Sequence, residues 1–114
     1  MSATERQIGY FILDANKNVV YSTMDEWVAW RVKHPGDKNV FSNEINGYWI
    51  STVFLGMDIG FGTPPFYFET MVFKKVGNDI DFSGGIYEDR YETYEQAKEG
   101  HAYACRYVKC LVLL

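Results

Sequence analysis

Apolar positions are densest between Asn46 and Val76, in the stretch NGYWISTVFLGMDIGFGTPPFYFETMVFKKV. The pattern predicts two long strands, Tyr48 to Leu55 and Phe66 to Val76, joined by a glycine- and proline-rich loop from Gly56 to Pro65. The second strand is apolar on both faces for much of its length. That predicts a central strand, covered on both sides or on one side plus an oligomer contact. Asn46 and Gly47 both tolerate positive φ, so they predict a type I′ turn leading back to a strand over Val40 to Ile45.

Upstream, Ile8 to Leu13 is a short apolar run. The turn cluster Asp14 to Asn18 and then Val19 to Tyr21 follow it, which predicts a hairpin. Thr23-Met24-Asp25-Glu26 has the form of a capping box. A helix follows through Trp27, Val28, Trp30 and Val32. It ends by His34, because the residue before Pro35 disfavours the helical region. Trp27 and Trp30 mark its inward stripe.

Downstream, Gly77-Asn78-Asp79 turns the chain into a strand starting at Ile80 to Phe82. Gly84-Gly85 predicts a bend or bulge before the strand resumes at Ile86, Tyr87 and Arg90. Thr93-Tyr94-Glu95-Gln96 is a second capping box, opening a helix to about Leu111. Its apolar stripe is Ala97, His101, Ala104, Val108 and Leu111. Gly100 within it costs about 1 kcal/mol against alanine and predicts the close approach of a strand or ligand. The apolar end, Leu111 to Leu114, is expected to dock on its own sheet or on a second subunit. Short turns favour antiparallel neighbours. The expected fold is one α+β domain, an antiparallel sheet of about five to six strands with two helices packed on it.

Composition sharpens this picture. The chain has 114 residues, enough for one domain, and 47% of them are hydrophobic, which argues against disorder. Eight Phe, nine Tyr and three Trp are more than one small core hides, so some are expected at a partner or ligand surface. With the apolar end they predict a homodimer. The net charge of -4 comes without any basic run, so nucleic-acid binding has little electrostatic support. Cys105 and Cys110, five apart, read as two buried free thiols in a reducing compartment. The opening MSATERQIGY has no apolar h-region, and no run is long enough to cross a bilayer, so no membrane association is expected.

Three residues are candidates for acid-base chemistry. Asp58 sits in the glycine-rich loop, where it could be a base, an acceptor or simply a cap on its own turn. Glu69 shares a strand face with Tyr67, Met71 and Phe73, so it needs a raised pKa or a partner such as Arg90, Arg31 or His101. His101 lies on the inward stripe, either as a satisfied core histidine or as an acid-base group. His34 reads as a helix-end cap. The residues expected to contact a ligand or partner are Gly56, Asp58, Gly60, Phe61, Gly62, Glu69 and His101. The loop GMDIGFG has neither dinucleotide-fingerprint nor P-loop spacing, and the chain has no H-E-x-x-H and no nucleophile elbow. No metal or cofactor is expected, and an enzyme is the weaker reading.

The segment STVFLGMDIGFGTPPFYFETMVF, with YEQAKEGH after it, resembles a family of small uncharacterised proteins of bacteriophages and prophages. The resemblance rests on Ser51 to Gly56, Asp58, Phe61-Gly62, Pro64-Pro65 and Phe68 to Phe73, then on Thr93, Glu95, Ala97, Gly100 and His101. Ile59 stands where the family pattern has His, so chemistry requiring an Asp-His pair in that loop loses its support. The resemblance implies a viral or prophage origin and a host-cytoplasm setting, and it brings no established activity with it. The first expectation is a small phage accessory protein that binds a host protein or a small ligand without catalysis, for example to blunt a bacterial defence. A structural part of the virus, and a small hydrolase-like enzyme using Asp58, Glu69 and His101, are the alternatives.

Overall fold

Two threonines start the two helices. Thr23 Oγ1 accepts from the Glu26 backbone N–H, and Glu26 accepts from the Thr23 N–H, closing the capping box of α1 (Met24–Lys33). Thr93 and Gln96 close the same reciprocal pair at the start of α2 (Tyr94–Val112). The computed structural model describes residues 9–36, 39–58 and 66–112.

The remaining elements are β1 (Gly9–Leu13), β2 (Val19–Ser22), β3 (Asn39–Ile45), β4 (Tyr48–Phe54), β5 (Met57–Asp58), β6 (Phe68–Val76) and β7 (Asp79–Tyr91). All strand pairs are antiparallel, as the short turns require. Asn46 and Gly47 both take positive φ, 52° and 84°, and set the β3–β4 register at Ile45 opposite Tyr48. The β6–β7 register shifts on either side of Phe73, opposite Gly85, where two glycines in succession weaken the ladder.

The protein is a small α+β domain with two helices on antiparallel sheet. The strands divide between two sheets. One has the order β3-β4-β6-β7, with β6 in the interior as its apolar run predicts. The other, β2-β1-β5, forms because Gly56 turns the chain at φ 70° and lays Met57 and Asp58 against β1. The segment read from sequence as a loop therefore begins as a short strand.

Two apolar clusters hold these layers. Phe11 and Leu13 of the small sheet meet Phe54, Phe68, Tyr91 and Ala97 of the large sheet and α2. Ile50, Val72, Ala104 and Val108 pack α2 along the rest of the same face. The predicted stripe of α2 is thus the buried one. By contrast α1 buries no residue completely; Trp30 packs on Phe54, and Val32 is 77% exposed. The cysteines correct one expectation. Both are free, but Cys110 is exposed and Cys105 only half-buried. Leu113 and Leu114 of the apolar end lie outside the described residues.

Candidate functional site

Alternation gives the four-stranded sheet two chemically different faces. Ile50, Thr52, Phe54, Phe68, Thr70 and Val72 are buried on the α2 side. The residues between them face away.

On the α2 side, His101 bridges the helix to two strands. Its Nε2 lies 2.7 Å from Asn43 Oδ1, and its Nδ1 lies 2.7 Å from Thr52 Oγ1. Thr52 Oγ1 is 2.5 Å from Thr70 Oγ1, its cross-strand partner. An amide oxygen only accepts, so Nε2 carries the proton and donates to Asn43. Nδ1 then accepts from the Thr52 hydroxyl, whose oxygen accepts from Thr70. Burial pushes the imidazole below the usual histidine range, and a second proton would displace the Thr52 donor. Both ring nitrogens are spent, which makes His101 a satisfied core histidine.

Gly100, beside it, answers its own sequence puzzle. A methyl group there would overlap the Tyr91 phenol, so the glycine lets a strand side chain reach the helix backbone. The buried Tyr91 hydroxyl has no hydrogen-bonded partner. Burial pushes its pKa up, with nearby Thr70 opposing.

Glu69 sits on the other face. Its Oε2 accepts from Arg90 Nε at 2.8 Å, directly across the β6–β7 ladder, and Glu88 lies 3.4 Å from the same guanidinium. The Glu69 carboxylate pushes Arg90 further up. This is one of the partners the sequence offered. Glu69 and His101 therefore stand on opposite faces of one sheet and cannot share a substrate. Asp58 belongs to the other sheet, opposite Gly9 in β5. Gly60, Phe61 and Gly62 lie outside the described residues.

Two features escaped the sequence reading. The first lies on the face turned away from α2. Trp49 stacks on Phe73 at 6.0 Å, and the Phe82 ring stands edge-on to both, at 6.0 Å and 5.2 Å. Phe82 is 65% exposed. Phe82 of β7 covers Phe73, which is buried, while both helices and the small sheet lie on the opposite side, so Phe82 itself meets no described element beyond this cluster. Alternation in β4 and β6 was the available signal; the bulge that delivers Phe82 was not readable in detail.

The second lies beside Gly56. This predicted contact residue lines a cavity of about 60 Å³ with Trp27, Trp30, Arg31, His34 and Phe54. Trp27 and Arg31, one helical turn apart, were the available signal.

No helix among the described residues is long and apolar enough to cross a membrane. Comparison with family models, with curated proteins and with solved structures gave no match.

Proposed function

We propose that this chain is a phage accessory protein that acts in the host cytoplasm by binding a host protein or a small ligand, without catalysis, as a homodimer. One contrast carries the reading. Two of the three candidate acid-base groups are consumed by the fold, His101 by Asn43 and Thr52 and Glu69 by Arg90, and they stand on opposite faces of one sheet. Phe82, packed over a half-buried Trp49 and a buried Phe73, is instead left exposed on the outer face. Exposed contiguous apolar surface on a small domain is the mark of association. The phage setting rests on the motif resemblance.

Charge on this face supports a second copy as its occupant. Along β6 the outward residues run Glu69, Met71, Phe73, Lys75: acid, apolar, apolar, base. A second chain laid antiparallel across this face sets each Glu69 opposite a Lys75 and each Met71 opposite a Phe73. Glu69 keeps Arg90, and Lys75 keeps Glu44 at 2.9 Å, so the charges meet as alternating rows. Light scattering at micromolar concentration is expected to give the mass of two chains, and Phe82→Asp the mass of one with an unchanged circular dichroism spectrum. A wild-type mass of one chain overturns the dimer.

A further inference from the structure

We propose that the cavity between α1 and Gly56 is a binding site for the carboxylate of a small organic acid. It goes beyond the dimer face, which lies on the other side of the large sheet.

The argument starts from an unsatisfied donor. Trp27 Nε1–H is buried and has no hydrogen-bond partner. A buried donor left unmet keeps its desolvation cost, which an arriving acceptor removes. The Arg31 guanidinium lies over the same indole, 4.9 Å from the ring centroid, and no carboxylate among the described residues pairs with it. An indole with an unmet N–H and a guanidinium with no described carboxylate partner thus belong to the lining of one cavity.

Gly56 keeps this corner open. A Cβ there would sit 2.9 Å from Trp27 Nε1, and the φ of 70° already disfavours any other residue. Trp30 and Phe54, edge to face at 5.7 Å, form the apolar wall. His34 closes the end, its ring held by an Nδ1–H bond to the Trp30 carbonyl at 3.3 Å.

Size and charge choose the ligand. About 60 Å³ holds a carboxylate with little more, and a neighbouring cavity of about 270 Å³, sharing Trp30 and His34, has room for the body of a small acid. One cation and one neutral donor balance a single negative charge. A phosphate dianion would carry a second charge toward the last turn of α1, where the helix dipole is negative.

The test is a titration of ¹⁵N-labelled protein with sodium acetate against sodium chloride at equal ionic strength, followed at the three indole N–H resonances. Acetate is expected to move the Trp27 resonance downfield to saturation and leave Trp49 in place. Arg31→Met and Gly56→Ala are each expected to abolish the saturating shift. Arg31→Met, on a half-exposed helix position, is the variant that leaves the fold intact. Propionate and benzoate, run in parallel, report whether the larger cavity takes the body of the acid. The proposal is overturned if none of the three acids gives a saturating Trp27 shift, or if the shift survives Arg31→Met. Light scattering on the same sample reads the dimer separately, so failure of one leaves the other standing.

Discussion

His101 connects three elements through two ring nitrogens, and its neutrality is part of the fold. The unfolded chain releases it to about pKa 6.5 while the folded pKa is depressed, so the unfolded state binds more protons in between. Stability is therefore complete above about pH 6.5 and is lost as pH falls toward the folded pKa. The limit is one proton, about 1.4 kcal/mol per pH unit. Urea midpoints taken from about pH 7 to about pH 5.5 are expected to fall, and His101→Gln to flatten that slope. The groups facing His101 (Thr52, Asn43, the Phe41 ring and the half-buried Cys105 thiol) carry no charge in this window. The position of His101 on the inward stripe was legible in the sequence. Its partners were not, because Thr52 and Asn43 come from strands 49 and 58 positions away and nothing local marks them.

At the level of elements, both helix starts were readable, since a capping box is a contact between residues three apart. What the caps are worth depends on what each helix buries. α2 carries Ala97, Ala104 and Val108 into the core, whereas α1 buries no residue completely. Thr93→Ala is therefore expected to lower global stability by about 1 kcal/mol in urea unfolding. Thr23→Ala is expected to act locally, speeding amide exchange across α1 with a smaller shift of the global midpoint. The boundary between β4 and β5 was missed for a related reason. Two residues at Met57 and Asp58 are too few for periodicity to register, and they are held by backbone pairing to a strand more than forty positions earlier.

For the whole molecule, the division into two sheets raises the question of whether they unfold together. Phe54 answers it structurally: it touches Trp30 of α1 and Phe68 of β6, and shares a cluster with Phe11 and Leu13 of the small sheet. Phe54→Ala is expected to cost about 3–5 kcal/mol. In the wild type, tryptophan signals from the small-sheet side (Trp27, Trp30) and from the open face (Trp49) are expected to change in one coincident transition. Two separate midpoints would mean that the sheets are independent units.

The sequence alone determined the order of the helices and of every strand but β5, the two helix caps, the Asn46-Gly47 turn and the residues that point inward along α2. These follow from backbone preferences and from periods of two and 3.6 residues, which are local properties. Only the tertiary structure decided that Glu69 and His101 part company across a sheet, that the threonines join beneath the helix, and that Trp27 keeps an unmet donor over Gly56. Alternation says that two neighbours point apart, but not which side is covered. That choice is made by contacts between segments distant in the chain.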